Sequence, residues 1–206
     1  HVEGALTRAQ QLESNGPGCM AYRRVPPTLQ GAASDVLVFG DPQVKSPEDV
    51  GYFLNDIVQP LQGSHSARLG LSLGDLVDDA PAHYPALLAV FDRLGIPWMH
   101  APGNHDADVS AIGDDDALGH FHNAVGPDTF ARETALANVV VLDDVIQMPG
   151  KSPAYVGGLR EDQFAFLMRW LPTLRKDRLL VVALHIPLFD KAGRETFRHA
   201  DRARLF

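Results

Sequence analysis

Four short apolar runs in this chain each end on side chains that bind metals. Asp41-Pro42-Gln43 follows Val36-Leu37-Val38-Phe39, Gly74-Asp75 follows Leu69 to Leu73, Gly103-Asn104-His105-Asp106 follows a run from Ile96 to Met99, and His185 closes Leu179 to Leu184. Carboxylate, amide and imidazole donors together form a mixed oxygen and nitrogen set, suited to divalent ions between hard magnesium and softer zinc. An open α/β sheet gathers its ligands outside the carboxyl ends of its strands, where residues from separate strands meet in one crevice. The pattern therefore predicts one centre assembled from four strand tips.

Hydrolysis of a phosphate ester at neutral pH needs a strong nucleophile, relief of negative charge and a proton for the leaving group. Two divalent cations about 3.5–4 Å apart supply the first two, by acidifying a shared water into a bridging hydroxide and by clamping the phosphate. Asp75, a short anionic side chain on a glycine-relieved turn, is the expected bridge. Asp41 and Gln43 are expected on one ion, Asn104 and His185 on the other. His105 is left for the proton, with Asp106 expected to orient its imidazole.

Taken singly, each signal has an ordinary reading. Gly74-Asp75 reads as a plain turn, His185 as a near-core histidine, and Asp78 with Asp79 as helix-start residues, one of them able to bond behind a ligand. The order in which all four follow apolar runs favours the joint reading.

The intervening segments read as alternating short strands and amphipathic helices. Ser46 is placed to cap a helix that has Pro47 at its first position, Glu48 and Asp49 in its first turn, and an apolar stripe through Val50, Phe53, Ile57 and Leu61. A second helix carries Leu87, Leu88, Phe91 and Leu94 and stops at Gly95. Val139 to Leu142 predicts a further strand, ending at Asp143-Asp144, and Asp162 opens a helix disturbed at Pro172. Residues 107–135, acidic at Asp114-Asp115-Asp116, read as an excursion over the surface. Residues 1–34, broken by Asn15-Gly16-Pro17-Gly18 and Pro26-Pro27, read as a leader or the remnant of a preceding module.

A chain of 206 residues, 45% hydrophobic, is long enough for one sizeable core. Its 18 basic and 26 acidic residues leave a formal charge of −8, which argues against an electrostatic grip on nucleic acid or an anionic membrane. Bound divalent cations would offset that charge locally and admit a phosphorylated small molecule. Cys19 is the single cysteine, so no internal disulfide or thiolate cluster forms. The apolar runs fall short of the roughly 18–20 residues that a membrane-spanning helix needs. Neither a Gly-rich dinucleotide fingerprint nor a Walker-type loop follows any strand, so a nucleotide-binding domain is poorly supported.

In the order Asp41-Pro42-Gln43, Gly74-Asp75-Leu76-Val77-Asp78-Asp79, Gly103-Asn104-His105-Asp106 and Ala183-Leu184-His185, the chain resembles the calcineurin-like metallophosphoesterases over about residues 35 to 190. The resemblance implies an α/β fold of two mixed β-sheets packed as a sandwich flanked by helices. It also implies a dinuclear site of manganese, iron, zinc or similar ions, with Asp41, Gln43, Asp75, Asn104 and His185 as ligands and His105 as proton donor. The Asp-Pro-Gln form looks most like a bacterial branch whose members often carry extra domains and are often exported.

Two departures stand out. Gln43 occupies a position where many relatives have His, and a neutral amide is the weaker ligand for a first-row transition metal. The family pattern also ends with Gly-His-x-His after the position of His185, and no such motif follows here. Gly119-His120-Phe121-His122 has the right letters but precedes His185, and reads as surface or helix residues; His199 is a lone possible substitute. The expectation is a catalytic domain over 35–206 that is incomplete at its C-terminal side, binding metal weakly on its own. The alternative is a degenerate module that holds an ion or a phosphorylated ligand without turning it over.

Overall fold

In the computed structural model, the described residues are 21–24, 35–134, 137–189 and 199–205. The strands are β1 (Ala21–Arg24), β2 (Val36–Phe39), β3 (Leu69–Leu73), β4 (Trp98–Ala101), β5 (Phe130–Glu133), β6 (Ala137–Val141), β7 (Val145–Gln147), β8 (Tyr155–Gly157) and β9 (Leu179–Ala183). One sheet runs β2-β3-β4, all parallel. The other runs β1-β5-β6-β9, with β5 and β6 antiparallel and the other pairs parallel. Strands β7 and β8 make a separate antiparallel pair.

The alternation of side chains along a strand divides the core into layers. Leu69, Leu71, Met99 and Ala101 of the parallel sheet pack with Val139, Val141 and Ala183 of the mixed sheet, so the two sheets meet face to face. On the outer face of the parallel sheet, Leu37, Phe39 and Trp98 join Phe53, Leu87, Val90 and Phe91 from the covering helices. On the outer face of the mixed sheet, Ala131 and Val140 join Phe166, Leu167 and Trp170. The result is the expected sandwich of two sheets flanked by helices.

Helix α1 (Pro47–Tyr52) begins as its sequence predicts, with Ser46 Oγ accepting from Asp49 N. The same stripe continues through a π-helical stretch, Phe53–Val58, into α2 (Gln59–Leu61). Helix α3 (Tyr84–Asp92) and α5 (Glu161–Trp170) supply the other large covering surfaces, with α4 (Gly119–Ala124) between them in sequence and α6 (Arg202–Leu205) after.

Three departures from the sequence reading have physical causes. The third strand starts at Trp98 and not at Ile96, because Gly95 takes a left-handed φ of 69° and Pro97 has no N–H for the ladder. The stretch 107–135 is more than an excursion: it holds α4, whose Phe121 is fully buried, and β5, whose Arg132 and Glu133 hide a strand within a charged sequence. Ala21–Arg24, in the stretch read as leader, pairs with β5 as a strand of the mixed sheet.

Among the described residues, one margin of the sandwich is open. Val36 and Val38 share the inner face with Leu69 and Leu71, yet Val38 is 52% exposed. Strand β9 pairs with β6 alone among the described residues, and its Leu179 is 66% exposed.

Candidate metal centre

The tips of β2 and β3 leave the sheet stitched together. Gln43 N donates to Asp75 O at 2.8 Å, Val44 N to Leu76 O at 3.2 Å and Asp78 N to Val44 O at 3.0 Å. Asp41, Gln43 and Asp75 sit at left-handed φ values of 50°, 46° and 50°. Such conformations cost non-glycine residues on the order of 1 kcal/mol or more and persist where the surroundings impose them. Among the described residues, three of the four non-glycine positions with left-handed φ are residues predicted to bind metal; the fourth is Asp79, at 54°.

The four tips do meet. Asp41, Asp75 and His185 each place one ligand atom within 4.8 Å of the others. His185 Nδ1 lies 2.8 Å from Leu73 O, and a carbonyl can only accept, so Nδ1 carries the proton. In the neutral ring Nε2 is then a lone pair facing two more acceptors, Asn104 Oδ1 at 3.0 Å and Asp75 Oδ1 at 3.5 Å. Three converging acceptors, with no N–H or O–H passing between them when the ring is neutral, fit a cation, and an imidazole fixed through its other nitrogen is the usual setting of a metal-bound histidine.

Asp75 is buried and is the hub of the cluster. Its Oδ1 accepts from His105 N at 2.9 Å and its Oδ2 from Gln43 Nε2 at 3.0 Å. Gln43 thus turns its amide nitrogen toward the bridge candidate. Asp41 is the open member, with its side chain 63% exposed.

Two glycines make the approach possible. Gly74 has φ 91°, and a Cβ there would lie 2.6 Å from His185 Nδ1 and 2.8 Å from Pro102 O. A Cβ on Gly103 would overlap both Oδ1 and the backbone N of Asp75. The Gly-Asp and Gly-Asn-His-Asp spellings are therefore steric requirements of the crevice.

The partners of the His105 imidazole differ from the expectation. Its Nδ1 lies 3.2 Å from Asp79 Oδ1 and 3.3 Å from Asp78 Oδ1, and Asp78 is held in turn by Lys45 Nζ at 2.9 Å. The Lys45 hydrogen bond and charge keep the Asp78 carboxyl below its ordinary range. Asp106, expected beside the imidazole, points inward. It accepts from Gly103 N at 2.8 Å, Leu76 N at 3.2 Å, Val77 N at 3.3 Å and Tyr84 Oη at 2.9 Å. Burial raises its pKa to about 6 against the pull of these donors. Asp106 locks the Gly103–Asp106 turn onto the Asp75 turn, a task its position in sequence did not reveal.

The remaining candidates are placed elsewhere. His120 pairs with Asp108, and His122 Nε2 with Asp128 Oδ2 at 2.9 Å, both on α4, so the Gly-His-x-His letters there are helix residues engaged by other carboxylates. His199 is buried beside Asp144 and is not one of the three grouped ligands. Asp114 and Asp143 are each 2.6 Å from Arg160, an ion-paired network that binds the acidic turn to the start of α5.

Residues 34–204 match the sequence model of the calcineurin-like phosphoesterases, and the chain belongs to that family. Its members are metal-dependent hydrolases of phosphate esters, the class to which the strand-tip carboxylates and histidine are suited. No curated protein matches the chain. Among the described residues, no helix is long and apolar enough to cross a membrane.

Proposed function

We propose that this chain is a hydrolase of small phosphate esters, monoesters or diesters, acting through two divalent cations of the manganese, iron or zinc type. Asp41 and Gln43 would hold one ion, Asn104 and His185 the other, and Asp75 would be shared by both. When bound, the ions supply a nucleophilic water at neutral pH and offset the phosphate charge. The observation that carries this reading is the convergence of His185 Nε2, Asn104 Oδ1 and Asp75 Oδ1, a set of atoms suited to a bound divalent cation. His105 protonates the leaving oxygen, its imidazole held in orientation by Asp78 and Asp79.

The test is hydrolysis of p-nitrophenyl phosphate and bis-p-nitrophenyl phosphate with manganese. Asp75→Asn and His105→Ala should each lower kcat by about 10²-fold or more. Wild-type rates in both variants would remove the assignment.

The second reading, a module that holds an ion without turnover, is favoured by two features: Asp41 is exposed, and Gln43 is a weak ligand already bonded to Asp75. Full metal occupancy without hydrolysis of either ester would select it.

A further inference from the structure

Behind His185 lies a second carboxylate that touches none of the grouped metal-binding atoms. Asp144, just past the tip of β6, is fully buried. Its Oδ1 accepts from His185 N at 2.9 Å and from Ile186 N at 3.1 Å. Two consecutive amides on one carboxylate oxygen fix the turn in which the chain leaves β9, and that turn carries the His185 ring. The alignment is prepared by the sheet, since Leu142 N donates to Ala183 O at 3.2 Å and carries the β6–β9 pairing onward to the tips.

The other oxygen, Asp144 Oδ2, is closed off from solvent and has no hydrogen-bond partner among the described residues. Facing it at 3.6 Å is Nε2 of His199, whose side chain is fully buried and whose two ring nitrogens also lack partners among those residues. Buried polar groups left unpaired forfeit the hydration they had in the unfolded chain, so such an arrangement favours pairing. A closure of about half an ångström, within ordinary side-chain movement, pairs two of these three atoms, Asp144 Oδ2 and His199 Nε2. Residue 199 is brought there by backbone pairing with β8: Ala200 N donates to Gly157 O at 2.9 Å, and a Cβ on Gly157 would lie 2.6 Å from Ile186 Cγ2.

We infer that Asp144 and His199 form a positioning pair for the metal centre: His199 steadies the Asp144 carboxylate, and Asp144 holds the backbone of His185 so that Nε2 faces Asn104 and Asp75. The inference rests on the metal-centre reading above. It gives a role to Asp144, which the sequence marked only as the end of a strand, and to His199, which was a candidate ligand.

The experiment is metal titration of the full chain by calorimetry and by the visible spectrum of added cobalt, with kcat and KM for bis-p-nitrophenyl phosphate and the Tm of the metal-free protein. Asp144→Ala should weaken one class of metal site by about 10- to 100-fold and lower kcat with KM nearly unchanged. Asp144→Asn, which keeps an oxygen for the two amides, should recover most of that loss. His199→Gln should weaken the same site severalfold and add nothing further in an Asp144→Ala background. Should Asp144→Ala fail to fold, Asp144→Asn and His199→Gln carry the test through the cobalt spectrum.

Wild-type metal affinity in Asp144→Ala or in His199→Gln, or additive losses in the double variant, overturns the inference while leaving the metal centre intact. A wild-type chain that takes up no metal, and whose His185→Ala variant is indistinguishable from it, overturns the metal-centre reading and the positioning pair together.

Discussion

The phenol of Tyr84, at the start of α3, donates to Asp106 Oδ1 at 2.9 Å, and both side chains are almost completely buried. Asp106 in turn gathers backbone amides from the second and third ligand turns, so this one bond ties a covering helix to the floor of the metal centre. Tyr84→Phe should cost about 1–2 kcal/mol, read as a lower denaturant midpoint at unchanged m-value. Asp106→Ala leaves three amides and a phenol without an acceptor and should cost severalfold more.

The orientation of His105 gives a second prediction. His105→Ala should lose about 10²- to 10⁴-fold in kcat, the range for a general acid. Asp78→Asn and Asp79→Asn should each lose part of that factor, and the double variant should approach His105→Ala. Asp106 should behave differently, lowering stability and activity together. Paired kcat and melting measurements separate the two patterns.

Steric closure at the crevice predicts that Gly103→Ala folds poorly or loses metal uptake, because the added Cβ overlaps Asp75 and the third turn must move. Gly95→Ala, where the φ is left-handed but nothing lies within 4 Å, should cost only about 1 kcal/mol and leave metal binding intact. Metal titration of the two variants distinguishes a crowded site from a strained turn.

A pH dependence follows from His100 on β4. Its ring lies 5.1 Å from that of Phe91 and 6.1 Å from that of Trp98, its Nδ1 is shut off from solvent, and burial lowers its pKa to about 4. The unfolded chain, with a histidine near 6.5, binds the proton more readily. The folded state is therefore favoured fully above about pH 6.5 and loses up to about 3 kcal/mol as pH falls toward 4. His100→Phe should remove this acid sensitivity. The stability difference between the proteins should widen on acidification and stay flat from pH 7 to 8, as measured by denaturant melts.

Much of the fold was legible because strand tips and helix caps are local matters. Ser46, Pro47 and Asp49 spell a helix start through short-range sterics and hydrogen bonds, and Leu69 to Leu73 spells a buried strand by composition alone. The convergence of Asp75 and His185 was legible for the same reason, each following an apolar run. Three roles were not. Asp106 and Asp78 differ from a generic turn carboxylate only in what the folded chain brings near them, and Asp144 acts on backbone amides 41 and 42 residues away. Strand β5 was hidden because Arg132 and Glu133 interrupt the apolar alternation by which strands are read.

The left-handed backbone at Asp41 and Gln43 sets a trade between endurance and chemistry. Glycine is the residue at ease in that conformation, so Asp41→Gly and Gln43→Gly should each relieve local strain while removing a proposed metal donor. Random mutagenesis screened for heat resistance alone would then drift toward glycine at these tips, yielding hardier proteins stripped of the proposed ligands. A screen that also scores ester cleavage would keep the less comfortable residues.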